Sequence, residues 1–230
     1  MSNQLHHHFP SVRLVTSVLL FVGMTLTLAA LAEHVISGRP LTAVDEQLSA
    51  WLIANRTPAL TTLFIGITSL GSTVAGVIVA TVMGIYLLLR RQKYWFTATM
   101  LTIGGGALLN RYLKLLFQRA RPEFDDPTIT FTGYSFPSGH AMSATVVFGT
   151  LALFLFTRKE NFRTRAVVIG LALLIILLVA FSRIYLGAHY LTDVVAAMAE
   201  GVAWISLSFT IVSVWRRANV RRVKLDKNAG

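Results

Sequence analysis

The chain has 230 residues, 54% of them hydrophobic and only 13% charged, with 21 lysines and arginines against 10 aspartates and glutamates for a net charge of +11. A water-facing globule carries about 25% charged residues, so an ordinary soluble fold, intrinsic disorder and a small secreted scaffold are all excluded, as the mean hydropathy of +0.63 also requires. The absence of cysteine removes disulfides, thiolate zinc sites and cysteine nucleophiles, and the basic excess leaves nucleic acid, an anionic ligand or cytoplasmic membrane loops as its purpose.

Stretches of about 17–25 apolar residues can cross a bilayer, and they predict six spans. His6, His7 and His8 precede the first as a solvated tail. Residues 14–32 carry no charge and end near an interfacial His34; with no small-residue cleavage site and further spans behind it, this is a membrane helix rather than a signal peptide. Leu41, Val44, Leu48 and Leu52 then recur at helical spacing, with Asp45, Glu46 and Gln47 on other faces and Trp51 nearby. That pattern predicts a short amphipathic helix, lying in the outer interface or packed on the bundle. Residues 59–89 form the second span and residues 94–110 the third, where Gly104, Gly105 and Gly106 favour close helix packing. Residues 141–157, 166–182 and 194–215 complete the set, the last interrupted only by Glu200. An intramembrane acid needs a partner, and a buried ion pair between Glu200 and Arg111 is the expectation. The fold class that follows is all-α: a polytopic six-transmembrane-helix bundle, residues 1–230 forming a single domain.

The connectors set the orientation. Arg13, the cluster Arg90, Arg91 and Lys93, the cluster Arg158, Lys159, Arg163 and Arg165, and the tail cations Arg216, Arg217, Arg221, Arg222, Lys224 and Lys227 all fall on one side. By the positive-inside rule that side is cytoplasmic, with both termini and the 216–230 tail, so nucleic acid is not needed to explain the charge. Arg39, Arg56, Arg111, Lys114, Arg119, Arg121 and Arg183 fall on the other side. Most of them gather in or beside two short stretches, against the topological preference, and they mark a site at the outer membrane edge.

Three outer segments hold the reactive groups: Lys114 to Pro122, Pro137-Ser138-Gly139-His140, and Ser182 to Asp193. Lys114, Arg121 and Arg183 offer fixed charges, two of them planar forks suited to phosphate oxygens; salt bridges to Glu123, Asp125 and Asp126 are the structural alternative. Ser138 is a favoured helix N-cap, and a helix start also presents free N–H groups to an anion, which Gly139 would let approach closely. His140 and His189 lie beside the cations. His189 and Asp193 stand four apart, so on a helical turn the carboxylate can meet Nδ1, fix the tautomer and leave Nε2 free. Aspartate capping the sixth span is the competing reading of Asp193. Zinc is disfavoured, because the nearby cations repel a metal ion and no H-x-x-x-H or H-E-x-x-H spacing occurs.

K-x6-R-P, P-S-G-H and S-R-x5-H-x3-D, in this order, resemble the signature of the type 2 phosphatidic acid phosphatase superfamily, with all eleven motif positions present. The six-span layout resembles its membrane branch, and within it the bacterial phosphatidylglycerophosphatase B and undecaprenyl-diphosphatase members; the spans argue against the soluble haloperoxidase branch. The resemblance implies a lipid phosphatase of the cell inner membrane acting at the periplasmic edge without a metal or other cofactor. It implies His189 as the nucleophile that becomes phosphohistidine, Asp193 as its support, and His140 as the acid that protonates the leaving oxygen. Lys114, Arg121, Ser138, Gly139 and Arg183 would bind the phosphate. The substrate class would be phosphatidylglycerophosphate, phosphatidate or undecaprenyl diphosphate. A phosphotransferase using the same phosphohistidine and a non-catalytic anionic-lipid carrier are the alternatives, the second leaving His189 and Asp193 without a task.

Overall fold

The structure is a computed structural model that describes residues 9–37, 41–122 and 131–229. Eight helices follow in chain order: α1 (Phe9–Ser37), α2 (Leu41–Ala54), α3 (Pro58–Ser69), α4 (Thr73–Leu89), α5 (Lys93–Phe117), α6 (Gly139–Phe156), α7 (Phe162–Tyr185) and α8 (Leu191–Ala229). Among the described residues there is no strand. Five segments are long and apolar enough to cross a membrane: Leu14–Ser37, Pro58–Leu89, Gly139–Phe156, Phe162–Tyr185 and Leu191–Asn219. Their outward faces are apolar too, with Leu19 67%, Val74 69% and Leu89 78% exposed. Exposed leucine and valine rows of this extent suit lipid rather than water, and the chain is a multi-pass membrane protein.

α6 is the central helix. It packs against α5, α7 and α8, while α1 lies along α8, α3 along α7, and α4 against α5 and α6. Small side chains permit these approaches: Ala141, Ala144, Ala180, Ala196 and Ala197 are all buried. A Cβ on Gly105 would meet the Trp204 ring at 2.6 Å, and one on Gly106 would meet Met142 at 2.9 Å, so two of the three glycines in α5 are packing positions, as expected. In lipid every polar group needs an internal partner. Thr102 and Thr145 accordingly donate to the carbonyls of Ala98 and Ala141 at 2.7 and 2.8 Å, and Trp204 Nε1 donates to the Leu101 carbonyl at 3.1 Å.

The structure departs from the expected elements in three places. The second span is two helices, because the chain breaks at Leu70-Gly71-Ser72. A Cβ at position 71 would lie 2.6 Å from Val179 and 2.7 Å from the His140 carbonyl, and the Ser72 side chain caps α4 by accepting from Ala75 N at 3.2 Å. α5 runs seven residues beyond the expected third span, ending at a left-handed Gln118 with φ 47°. Its polar face, with Asn110, Arg111 and Lys114, keeps it outside the five apolar segments. α2 is docked on α7 and α8. Leu48 and Leu52 join the core, Val44 and Trp51 face outward, and Asp45 is buried at 1% exposure rather than turned away from the bundle.

Candidate active site

The end of α5, the starts of α6 and α8, and the end of α7 converge, each delivering one part of the motif set. His189 sits in the short turn between α7 and α8, where Gly187 adopts φ +69° and the Ala188 and His189 amides both donate to the Arg183 carbonyl. This turn buries His189 to 2% exposure and places its Nδ1 3.5 Å from Asp193 Oδ2. That is an electrostatic contact, too long for a well-formed hydrogen bond. Asp193 is fully buried on the first turn of α8, and the same Oδ2 accepts from Tyr190 N at 2.9 Å. The expected capping role and the His189 contact therefore coexist in one carboxylate.

On the other edge of the imidazole, Nε2 lies 3.3 Å from Arg121 Nη1. A guanidinium only donates, so this contact fits a neutral ring with its proton on Nδ1, facing Asp193. Burial lowers the His189 pKa to about 4, against the pull of Asp193 in the other direction.

The cations are held by carbonyl oxygens. Arg121 donates from Nε to Gly133 at 2.9 Å, from Nη1 to Ala188 at 2.7 Å and from Nη2 to Thr132 at 3.1 Å. Burial lowers its pKa and Asp193 opposes that shift. Lys114 Nζ donates to the Tyr134 carbonyl at 2.9 Å. Arg183 is 5% exposed, and its Nη1 donates to Thr68 Oγ1 at 3.0 Å while its buried Nε has no partner among the described residues. The Phe131 ring stands 5.7 Å from the Arg121 guanidinium and 5.1 Å from that of Arg183, close enough for its π face to favour both charges. Glu123, Asp125 and Asp126, the alternative partners, lie outside the described residues.

Ser138 occupies the N-cap position of α6, but its side chain makes no capping bond. Its hydroxyl is buried with no partner among the described residues, while its amide donates to the Asp193 carbonyl at 3.0 Å. The peptide before Pro137 is cis. A Cβ on Gly139 would lie 3.4 Å from Asn110 Oδ1 and 3.7 Å from Lys114 Cε, so this glycine keeps the helix start open beside the lysine. His140 is half-buried, within electrostatic reach of Arg183, His189, Arg121 and Lys114. It also lines a cavity of about 380 Å³ that continues between α4, α5 and α6 past Gly76, Gly104 and Val146. The structure thus brings the eight motif residues Lys114, Arg121, Ser138, Gly139, His140, Arg183, His189 and Asp193 to one place.

Comparison with known proteins identifies the family. The pattern of the PAP2 superfamily matches residues 93–217. Phosphatidylglycerophosphatase B of Bacillus subtilis is 31% identical over 186 residues, covering 80% of this chain and 89% of the relative. The chain belongs to the PAP2 superfamily. The crystal structure of the transmembrane PAP2-type phosphatidylglycerolphosphate phosphatase from Bacillus subtilis superposes with a TM-score of 0.72 at 30% identity, over 88% of this chain and 96% of that one. A more distant match, the decaprenylphosphoryl-5-phosphoribose phosphatase of Mycobacterium tuberculosis, is 33% identical over 147 residues, 59% of this chain and 71% of the relative.

Two polar features were missed or misassigned in the sequence. The ion pair expected between Glu200 and Arg111 does not form: Arg111 is exposed, and Glu200 Oε2 accepts instead from Asn110 Nδ2 at 2.8 Å. Position 110 faces α8 and position 111, about 100° further round the helix, faces away. The second is Arg119, which bridges Asp193 Oδ1 at 2.6 Å and Asp45 Oδ2 at 2.9 Å. Its excess over the topological preference was visible in the sequence; its partner on α2, 74 residues away, was not.

Proposed function

We propose that this PAP2 lipid phosphatase works through a phosphohistidine formed on His189. The membrane-embedded helices and the family together make the chain a lipid phosphatase, and the observation that carries the mechanism is the buried His189. Its Nδ1 faces Asp193 at 3.5 Å and its Nε2 faces the Arg121 guanidinium at 3.3 Å. Nε2 attacks phosphorus, the P–O bond to the lipid breaks, and His140 gives its proton to the departing oxygen. The neutral His140 then takes a proton from water, whose oxygen attacks the phosphohistidine. Phosphate leaves, His189 is restored and His140 is again protonated.

Lys114, Arg121, Arg183, Ser138 Oγ and the amide at Gly139 bind the phosphoryl oxygens. A phosphate monoester carries about −1.5 to −2 charges, and phosphoryl transfer depends chiefly on such positioning and charge stabilisation. The tail of the lipid lies in the cavity running from His140 between α4, α5 and α6. The substrate is a lipid phosphate monoester or diphosphate of the phosphatidylglycerophosphate, phosphatidate and undecaprenyl diphosphate class.

α5 is the sixth span. At 25 residues it is ~37 Å long, enough to cross the hydrocarbon, with Asn110 and Lys114 turned to the protein. Both termini lie in the cytoplasm, the whole chain forms one domain, and the site opens at the periplasmic edge of the inner membrane. Phosphate release by the detergent-solubilised protein from the three lipids, followed by acid-quench trapping of radiolabelled phosphate on the enzyme, tests the reading. Release from at least one lipid with label on the wild type and none on His189→Asn is expected. Label retained by His189→Asn overturns the nucleophile assignment.

A further inference from the structure

Asp193 faces two side-chain partners, a neutral imidazole and a guanidinium. Oδ2 looks toward His189 Nδ1 at 3.5 Å and accepts from Tyr190 N, while Oδ1 takes the shorter contact, 2.6 Å, from Arg119 Nη1. Arg119 in turn is fixed on three sides. Its Nη2 meets Asp45 Oδ2 at 2.9 Å, its Nη1 also donates to Thr192 Oγ1 at 2.8 Å, and its guanidinium stacks 4.1 Å from the centre of the Tyr190 ring. Asp45 is anchored independently by Thr192, whose amide donates to Oδ1 at 3.0 Å and whose hydroxyl donates to Oδ2. Asp45 and Asp193 are 1% and 0% exposed. The Arg119 carbonyl accepts from Ser135 N at 2.8 Å, which ties the same residue to the loop that carries the Lys114 partners.

A buried aspartate beside a histidine ordinarily favours the imidazolium, yet a nucleophilic His189 must be neutral. Burial already keeps the ring neutral, and Arg119 works in the same direction by taking up the aspartate's charge, so that the carboxylate can orient the ring without protonating it. We propose that Arg119 and Asp45 are positioning residues of the reaction: Arg119 neutralises and aims the Asp193 carboxylate, and Asp45, from α2, holds Arg119 in place. Neither lies at a motif position, and α2 carries no other residue of the site. The proposal rests on His189 being the nucleophile.

The groups facing His189 are Lys114 on α5, Arg121 after it, His140 on α6, Arg183 on α7 and Asp193 on α8. Those facing Arg119 are Asp45, Asp193 and the Tyr190 ring. Removing the charge of Arg119 frees Asp193 to close on Nδ1, which raises the affinity of His189 for a proton.

The test is a histidine-selective 15N NMR titration of the substrate-free protein in detergent micelles, with the His189 signal assigned by its loss in His189→Asn. Because no turnover is needed, its outcome is separable from that of the phosphoenzyme experiment. Arg119→Gln is expected to move the His189 titration upward by about one pH unit, the low end of what one opposite charge does, while Arg119→Lys moves it much less. Asp45→Asn leaves the arginine's charge on Asp193, so its His189 titration stays at or below the wild-type position. Its kcat falls about tenfold with KM little changed, since neither residue reaches the phosphate. An unmoved titration in a folded Arg119→Gln overturns the proposal. Should that variant not fold, wild-type kcat or an upward titration in Asp45→Asn overturns it instead.

Discussion

Ser138→Ala separates a structural hydroxyl from a substrate-binding one by the sign of its effect on stability. Ser138 stands at the N-cap of α6, where a capping serine replaced by alanine costs about 1 kcal/mol. Here the hydroxyl is 0% exposed, makes no capping bond and has no other partner among the described residues. A buried polar group left unsatisfied carries a desolvation penalty of about 1–3 kcal/mol, so removing it leaves the fold as stable as before or more stable by ~1 kcal/mol. If Ser138 binds phosphate as proposed, the hydroxyl donates to an anionic oxygen of the substrate, a contact whose loss costs about 1.5–3 kcal/mol. At about 1.4 kcal/mol per factor of ten, kcat/KM for a lipid phosphate falls roughly ten- to a hundredfold, and inhibition by inorganic phosphate weakens in parallel.

The assay pairs phosphate release in micelles with thermal unfolding of the same preparation. A melting temperature at or above wild type together with the fall in activity is the expected pair. A lowered melting temperature with normal turnover would show that the hydroxyl caps the helix and that the site does not use it.

The remaining predictions concern other buried groups. His189 is neutral in the fold with a pKa of about 4 against an ordinary 6.5. The unfolded chain therefore binds a proton that the folded one refuses, and stability falls as pH drops from about 6.5 to about 4, by up to ~3 kcal/mol from this group. His189→Asn lacks that loss, so its melting temperature should drop less than the wild type's between pH 7 and pH 4.5; parallel drops would refute the assignment. Glu200→Gln retains an acceptor for Asn110 and should melt within a few degrees of wild type. Glu200→Ala leaves the amide unpaired and a void behind it, costing ~2–4 kcal/mol by the same melt. Arg111→Ala should leave stability unchanged, where an Arg111–Glu200 pair would have made it as damaging as Glu200→Ala. Finally, excess chelator should leave phosphate release unchanged, and strict sensitivity would require a different mechanism.

Much of this was legible in the sequence because the relevant signals are local. Apolar runs mark membrane helices wherever they occur, and the motif residues lie at the ends of helices whose order was already readable. What stayed hidden depends on distance or on rotation. At the break, Gly71 leaves no room for a Cβ beside Val179 and the His140 carbonyl, both far along the chain. Glu200 was given the wrong partner because a one-residue difference on α5 decides which side chain faces α8. Asp45 read as one more polar residue of an amphipathic helix, and nothing in its neighbourhood announces an arginine 74 positions away. Arg119 was conspicuous only as a cation on the wrong side of the membrane by charge count.

The two charge systems of the site differ in how they are held, and that difference fits what the proposed mechanism asks of each. Arg121 and Lys114 rest on carbonyl oxygens, and Arg183 on a threonine hydroxyl. Neutral dipoles of this kind fix a cation without cancelling it, so the positive charge remains available to a phosphate that brings about two negative charges of its own. A carboxylate partner would have made the empty site more comfortable and the bound phosphate redundant. Asp193 faces the opposite requirement: its charge must be present to orient His189 yet not strong enough to protonate it. It is therefore the carboxylate that receives a buried arginine, and that arginine that receives a second carboxylate from α2. Charge is left uncompensated where the substrate will supply the counterion, and compensated where the substrate never goes.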